Sequence, residues 1–258
     1  MCRLLAYWGK TSCELYDFLV AAPNSLLKQS RCDNSARPNA DGWGVCYFRD
    51  GEPALVKDPL PAFEDPLFVK TARSLRSNLV LAHVRRLSQG PVCKENTHPF
   101  VKDGWAFMHN GNIPGFQQLR DVLIAKIGLP ESFRPRGNTD SEFIFDCLLY
   151  QIQQLGNVSR DSIIPALEEI LSKLGNYLPH SMKNETVLNF LMTNGRLLVG
   201  YRHKRSMFYR SWKDGVIISS EVLDQEGKWR AISEGDFILC NQPDEIKLVS
   251  AGSRVLSS

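Results

Sequence analysis

The sequence lacks a long apolar run: no segment approaches the ~18 consecutive apolar residues that a membrane-spanning helix needs. Near the N-terminus, Arg3 and Lys10 interrupt the apolar residues, so no signal-peptide core is present there. The 7 cysteines contain no CxxC pair and have no regular spacing, which indicates reduced thiols rather than a disulfide framework or a zinc site. We therefore expect a cytoplasmic protein without a membrane segment, a metal or another cofactor.

An excess of charge of either sign is also missing. The 31 basic and 28 acidic residues leave a net charge of +3 over 258 residues. The longest basic cluster, residues 202–205, is isolated, and we interpret it as a solvated strand end or turn rather than a nucleic-acid site. Because internal repeats and low-complexity linkers are absent as well, a single domain over residues 2–258 is the simplest organisation.

Hydrophobic patterns predict two groups of strands with helices between and around them. The predicted strands cover residues 2–8 (ended by Gly9), 45–48, 54–57, 78–86 and 105–109, and then 187–193, 196–202, 207–212, 216–219 and 237–241, the last three completing a second sheet. The predicted helices cover two short patterns within 14–30, then 64–76, 114–127, 139–155 and 160–174. This order predicts an α+β fold, a four-layer αββα sandwich of two mainly antiparallel sheets.

A cysteine follows the initiator methionine directly, in MCRLLAYWGK. Methionine aminopeptidase removes Met1 when the next side chain is small, so the mature chain is expected to begin at Cys2. That residue would then carry a thiol with a pKa near ~8.5 and an α-amine with a pKa near ~8, a nucleophile beside its own base. Taken alone, Cys2 is better explained as a small buried hydrophobe that starts a strand. The motifs further along reverse this interpretation.

Four polar motifs follow in order: HVRRLSQG from His83, NTHPF from Asn96, HNGN from His109 and GNTDSE from Gly137. In content and spacing the chain from Cys2 to about Glu142 resembles the class-II (N-terminal nucleophile) glutamine amidotransferases, and the remainder resembles them more loosely. It is most similar to small standalone members of the ergothioneine-pathway amidohydrolase and glutathione-degradation type. The loop NADGWG from Asn39 and the late SSE from Ser219, followed by Trp229, add to that similarity.

The resemblance implies the N-terminal nucleophile hydrolase fold and a catalytic set. Cys2 would attack the γ-carbonyl of a glutamyl group, with its own amine as proton acceptor, and form a thioester. Asn110, through its side-chain amide, and Gly111, through its backbone N–H, would form the oxyanion hole. Without the resemblance, Asn110-Gly111 is better explained as an ordinary type I′ turn.

The resemblance also implies a substrate-binding set. Arg85 would bind the α-carboxylate bidentately and Asp140 the α-ammonium, and Ser88 would add a hydroxyl to the carboxylate site. Without the motifs, surface ion pairs explain Arg85 and Asp140 equally well. His98 and His109 are expected to be hydrogen-bonded walls of the site rather than the base. Arg86 is also expected to line the wall of the site. Asn39 and Asp41 are expected to organise the loop that faces Cys2.

These inferences predict an amidohydrolase that cleaves a γ-glutamyl amide, either glutamine or a γ-glutamyl conjugate, through a Cys2 thioester. Three alternatives remain open: a glutaminase subunit that delivers ammonia to a separate synthase partner, a non-catalytic glutamyl-binding sensor, and a structural subunit of a complex. The expected partner is the small-molecule γ-glutamyl substrate, with no nucleic acid and no membrane. A synthase or a second copy of the chain stays open as a protein partner.

Overall fold

The computed structural model describes residues 2–135 and 137–252, so Met1, whose removal the sequence predicts, lies outside the described residues. The strands within this part are β1 (Arg3–Glu14), β2 (Trp43–Arg49), β3 (Glu52–Asp58), β4 (Arg76–Val84), β5 (Phe100–Lys102), β6 (Trp105–Asn112), β7 (Val187–Thr193), β8 (Leu198–Tyr201), β9 (Phe208–Trp212), β10 (Gly215–Ser219), β11 (Arg230–Ala231), β12 (Asp236–Gln242) and β13 (Glu245–Ser250). The helices are α1 (Leu26–Arg31), α2 (Pro66–Ser74), α3 (Phe116–Ile127), α4 (Asp140–Gln153), α5 (Arg160–Tyr177) and α6 (His180–Lys183), with a π-helical turn at Asp17–Ala21 and a 3-10 turn at Glu131–Phe133. In the described ranges no helix is long and apolar enough to cross a membrane.

The strands form two antiparallel sheets. Sheet A has the order β11-β9-β10-β1-β4-β2-β3, and sheet B has the order β13-β12-β8-β7-β6-β5. Helices α3, α4 and α5 cover the outer face of sheet B, while α1, α2 and the π-helical turn cover the outer face of sheet A. The architecture is thus the predicted four-layer αββα sandwich.

Side-chain alternation along the strands divides the core into layers. In β1, Leu4 and Ala6 point between the sheets, where they meet Met108 of β6. The intervening Leu5 points to the helices over sheet A, while Phe107 of β6 points to the helices over sheet B. Each sheet therefore has two buried faces. For this reason the sequences of β1, β4 and β7 are nearly continuous apolar runs.

The predicted grouping of the late strands is wrong for β9 and β10. These strands do not join the second sheet, because β10 pairs with β1 in sheet A and β9 pairs with β10. Conversely, β6 pairs with β7 in sheet B, although it precedes the long helices. A strand's own apolar pattern records that it is buried but not which strand it pairs with, so chain order was a poor guide to sheet membership.

Strand β1 also runs past Gly9, where the sequence predicted its end. Gly9 lies opposite Gly215 of β10. A Cβ at Gly9 would lie 1.9 Å from Tyr7 Oη, and one at Gly215 would lie 2.1 Å from the carbonyl oxygen of Trp8. Glycine is required at this pair for close approach of the backbones, not to end a strand.

Thr139 is the N-cap of α4. Thr139 Oγ1 accepts a hydrogen bond from the backbone N–H of Glu142 at 3.2 Å. Glu142 in turn accepts, through Oε2, a hydrogen bond from the backbone N–H of Gly137 at 2.5 Å. The glutamate therefore ties the preceding loop to the helix start.

One buried carboxylate joins the outer layer to sheet A, and its removal gives a test of the fold. Asp65 accepts from the Trp43 indole N–H at 2.8 Å and caps α2 by accepting from the Leu67 N–H at 2.9 Å. We expect Asp65→Ala to lower the free energy of unfolding in urea by about 2–4 kcal/mol, since it removes the cap and leaves a buried N–H without a partner. The control Asp58→Ala, which removes one exposed loop hydrogen bond, should cost much less. Equal losses for the two variants would contradict this account.

Candidate active site

Strand register brings three distant segments to one edge of sheet A. Arg3 at the start of β1 lies opposite Val84 at the end of β4, so Cys2 lies beside Arg85. The start of β2 lies against the same end of β4, with Trp43 opposite Val84. The backbones are then joined, since Arg85 N–H donates to Gly42 O at 2.7 Å and Asp41 N–H donates to Arg85 O at 3.0 Å.

Sheet B adds the end of β6 to this edge. One ring nitrogen of His83 contacts the backbone carbonyl of His109 at 3.2 Å, which links the two sheets. Met108 faces the other sheet, and alternation places Asn110 on that same side. Helix α4 joins through its first residue, because Asp140 Oδ2 accepts from Ile113 N–H at 2.7 Å.

These segments enclose a narrow inner chamber. Six of the seven residues predicted for catalysis and substrate binding line it: Cys2, Arg85, Ser88, His98, Gly111 and Asp140. Asn110, the seventh, does not line the chamber as it stands. The free volume is about 10 Å³, room for about one water molecule. A glutamyl group can therefore enter only if the lining rearranges.

A larger cleft adjoins this inner chamber. The cleft has a volume of about 470 Å³ and shares four lining residues with the chamber: Cys2, Arg86, Ser88 and Gly111. Cys2 therefore stands at the boundary between a closed space and an open one.

The Cys2 thiol is buried and held by the backbone of one residue. Its sulfur accepts from Arg86 N–H at 3.3 Å and lies 3.4 Å from Arg86 O, to which the S–H can donate. Burial raises the pKa of the Cys2 thiol, while the Arg86 N–H and the nearby Arg85 and Arg3 charges oppose the rise. A thiol in this setting needs an adjacent base to become the nucleophile.

An ion cluster that the sequence analysis missed fixes the Cys2 backbone. The Arg3 guanidinium donates to Cys2 O at 2.9 Å, to Glu221 Oε1 at 2.6 Å and to Asp33 Oδ2 at 2.9 Å, and all three charged side chains are buried. Asn39 joins the cluster by donating to Asp33 Oδ2 at 3.2 Å. The only sequence signal was the SSE motif that contains Glu221, since Arg3 and Asp33 stand in no motif of their own.

Arg85 is buried, so the explanation of this residue as a surface ion pair is wrong. Its guanidinium donates to Gln89 O at 2.8 Å and to Pro91 O at 3.1 Å. Guanidinium has five N–H donors, so these two bonds leave donors for a ligand in the chamber.

Asp140 is also buried, and it is one of three acceptors that surround the side-chain nitrogen of Gln89. Gln89 Nε2 lies 2.7 Å from Asn112 Oδ1, 2.8 Å from Ile113 O and 3.3 Å from Asp140 Oδ2. Burial raises the pKa of the Asp140 carboxyl to about 6, partly offset by hydrogen bonds from Ile113 and Ser141. Three acceptors around one nitrogen donor form a site that suits an ammonium group.

Three buried histidines surround this region, and burial lowers the pKa of each. The pKa falls to about 3 for His83, to about 4 for His109 and well below the ordinary range for His98. Neutral imidazoles of such low basicity are poor proton acceptors near pH 7, which supports walls rather than a base. His109 is hydrogen-bonded as predicted, to Ser141 Oγ and Val187 O.

His98 departs from that prediction. Its ring is 4% exposed and stacks on His83 with centroids 4.4 Å apart, yet neither ring nitrogen has a hydrogen-bond partner among the described residues. A buried polar group without a partner costs free energy, and this one lines the chamber. His98 therefore offers a hydrogen-bonding group to whatever occupies that space.

Asn110-Gly111 is not a turn, so the ordinary type I′ explanation is wrong. Both residues lie within β6, with Asn110 opposite Asn189 and Gly111 opposite Leu188 of β7. The Asn110 side chain forms no hydrogen bond with the rest of the described chain, and its buried Oδ1 is unpartnered. A Cβ at Gly111 would lie 2.0 Å from Val187 O and 2.1 Å from a His109 ring nitrogen, so only glycine fits.

The model of the class-II glutamine amidotransferases matches residues 1–213, most of the chain, including every segment of this site up to Asp140. The chain belongs to this family. The predicted resemblance is thereby confirmed, and so is the expectation of an amidotransferase-type enzyme at the level of the family.

The chain is similar to curated proteins and to a solved structure over different shares of its length. YafJ of Escherichia coli is 31% identical over 170 residues, 64% of this chain and 61% of YafJ, so the chain spans less than two thirds of that relative. The gamma-glutamyl-hercynylcysteine sulfoxide hydrolase of Mycobacterium tuberculosis is 26% identical over 246 residues, 94% of each chain. The structure of a glutamine aminotransferase class-II domain protein from Silicibacter pomeroyi superposes with a TM-score of 0.71 at 25% identity, covering 96% of this chain and 99% of that one.

The buried carboxylate of Asp140 gives a prediction that joins stability to binding. Its pKa in the folded protein exceeds its unfolded value of about 3.9, so the stability it contributes is present below pH 4 and is lost as the pH rises through 6. Above pH 6 the folded wild-type protein holds a buried carboxylate charge, which asparagine does not carry. We therefore expect Asp140→Asn to raise the free energy of unfolding at pH 8 by about 1–3 kcal/mol. The same variant should bind a glutamyl substrate at least about tenfold more weakly.

Kinetics at several pH values complete this test. The wild-type KM should rise as the pH falls through 6, where Asp140 becomes neutral, and Asp140→Asn should lack this inflection. Asp146→Asn is the matched control, because burial also raises the pKa of Asp146 to about 6 but its partner is Lys102, at 2.6 Å, and it does not line the chamber. A wild-type KM that is independent of pH between 5 and 7 would contradict the role of Asp140.

Proposed function

We propose that the protein hydrolyses γ-glutamyl amides through a thioester on Cys2, with water as the acceptor, in one domain over residues 2–258. The observation that carries this proposal is that the Cys2 thiol, the Arg85 guanidinium and the Asp140 carboxylate line one closed chamber. A nucleophile, a cation and an anion around one space match a glutamyl group, which has a γ-carbonyl, an α-carboxylate and an α-ammonium. The chain is similar over nearly its whole length to a relative named gamma-glutamyl-hercynylcysteine sulfoxide hydrolase. This similarity supports water as the acceptor.

The ammonium end of the substrate replaces the side chain of Gln89. Gln89 Nε2 lies near three acceptors but has only two N–H groups, whereas an ammonium has three N–H donors for Asp140, Ile113 O and Asn112 Oδ1. Because a positive charge beside Asp140 favours the ionised carboxylate, the ligand gains an ion pair that the amide of Gln89 does not provide. Withdrawal of Gln89 also enlarges the chamber.

The carboxylate end binds to Arg85, with Ser88 and His98 lining the same space. Arg85 keeps its two bonds to Gln89 O and Pro91 O and uses its remaining N–H groups for the ligand. The ring of His98, which has no hydrogen-bond partner in the part of the chain that the structure describes, then gains a hydrogen bond on binding. This set holds the γ-carbonyl towards Cys2.

The chemical steps use the chain's own groups. With Met1 removed, the α-amine of Cys2 takes the thiol proton, and the sulfur attacks the γ-carbonyl carbon to form a C–S bond. The side-chain amide of Asn110 and the N–H of Gly111 stabilise the oxyanion. Collapse of this intermediate breaks the C–N bond, and the amine leaves with the proton. Water then attacks the thioester, which releases glutamate and restores the thiol.

Labelling of the nucleophile tests this mechanism. We expect the purified protein to lack Met1 and to gain one equivalent of 6-diazo-5-oxo-norleucine on Cys2, with loss of glutaminase activity in step, as read by intact mass and peptide mapping. Cys2→Ala should fold, stay unlabelled and show no turnover, while the control Cys32→Ala, which changes an exposed cysteine, should label normally. A folded wild-type protein that begins at Cys2 but is not labelled would favour a glutamyl sensor. A stable partner and turnover only in its presence would favour a glutaminase subunit or a structural role.

Substitution of the cation tests the binding mode. We expect Arg85→Lys to raise the KM for glutamine by about tenfold or more with a smaller change in kcat, because a lysine ammonium cannot bind a carboxylate bidentately and also hold two carbonyls. Arg196→Lys, in the exposed turn between β7 and β8, is the control and should leave both constants unchanged. An unchanged KM for Arg85→Lys would refute this role.

A further inference from the structure

The larger cleft outside Cys2 is strongly basic. Three arginines line it, Arg37, Arg86 and Arg205, and no carboxylate does so among the described residues. These side chains come from three distant parts of the chain: the loop before β2, the segment after β4 and the loop between β8 and β9. The fold therefore concentrates positive charge beside the nucleophile.

The three charges are not neutralised within the described chain. None of the three guanidinium groups forms an ion pair there, whereas Arg3 and Arg210, which are more buried, are paired with carboxylates at 2.6–2.9 Å. The Nε of Arg205 is buried without a hydrogen-bond partner. Like charges gathered without acids raise the free energy of the empty cleft, and a bound anion would lower it.

The backbones that carry these arginines are fixed. Arg86 holds the Cys2 sulfur through its N–H. Arg205 donates its N–H to Asn189 Oδ1 at 3.1 Å and accepts from Asn189 Nδ2 at 2.9 Å. The Arg37 carbonyl accepts from the N–H of Asp33 at 3.2 Å. Residues 202–205 form a bend at the end of β8, as the sequence predicted, but the Arg205 side chain is partly buried and lines the cleft.

The geometry of the two spaces orients the substrate. The inner chamber contains the charged partners of the glutamyl α-groups, and Cys2 and Gly111 line both spaces. With the γ-carbonyl at Cys2, the substituent on the amide nitrogen extends into the cleft. A volume of about 470 Å³ accommodates a group as large as an amino acid or a short peptide.

We propose, on the basis of the proposed function, that the amine released from the substrate carries a carboxylate that the cleft arginines bind. The substrate class is then a γ-glutamyl amino acid or peptide rather than glutamine, whose amide has no substituent. Guanidinium groups bind carboxylates bidentately, so the cleft discriminates by charge and by geometry.

A matched pair of amides tests this inference. γ-Glutamyl-alanine and γ-glutamyl-ethylamide share the glutamyl head and differ by one carboxylate on the leaving amine. We expect kcat/KM to be at least about tenfold higher for γ-glutamyl-alanine. Arg37→Gln and Arg205→Gln should each lower kcat/KM for γ-glutamyl-alanine by about tenfold and leave γ-glutamyl-ethylamide within about twofold of wild type. Arg196→Gln is the control and should alter neither.

The outcomes separate this inference from the function on which it rests. Equal hydrolysis of the two amides, or arginine variants that slow both equally, would overturn the anion site while leaving γ-glutamyl hydrolysis intact. Failure to hydrolyse either amide or glutamine by a protein that begins at Cys2 would overturn the proposed function and this inference together. A preference for γ-glutamyl-alanine that Arg205→Gln and Arg37→Gln abolish supports the anion site.

Discussion

The site depends on one buried ion cluster at the start of β1. Arg3 holds the Cys2 carbonyl and is itself held between Asp33 and Glu221, which come from segments about thirty and two hundred residues away. Buried ion pairs contribute little net stability when fully satisfied, but breaking one leaves an uncompensated charge. The cluster is better understood as a positioning device, because it fixes the Cys2 backbone beside Arg86 and the chamber.

The chamber combines polar groups that a purely structural core would avoid. Asp140 is buried with a raised pKa, and the nitrogens of His98 have no partner in the described chain. The buried Oδ1 of Asn110, which does not line the chamber itself, has no partner among the described residues either. Each of these features costs folding free energy, and each is relieved when a ligand supplies the opposite charge or a hydrogen-bond partner. Gln89 partly relieves the cost in the empty site by placing an amide where an ammonium fits. The same logic applies outside Cys2, where three guanidinium groups without an ion pair among the described residues line an open cleft.

Much of the architecture could be predicted, and the errors have a common cause. Strand and helix positions follow from apolar periodicity, so the helices α2, α4 and α5 were predicted close to their observed bounds. Which strands pair was not predictable, because sheet membership depends on long-range contacts that leave little trace in a single sequence. Gly9 illustrates this, because glycine is required there by the facing Gly215 of β10 and not by a local turn.

The sequence alone determined the family and the identity of most chamber residues, since the motifs at Cys2, Arg85, Gly111 and Asp140 are local and their order is specific. Only the tertiary structure decided how these groups are partnered: that Gln89 contacts Asp140, that Arg3 donates to the Cys2 carbonyl, and that the Arg205 side chain lines the cleft. The physical reason is that a motif specifies which groups are present, whereas burial, pairing and unpaired charge arise only when distant segments meet.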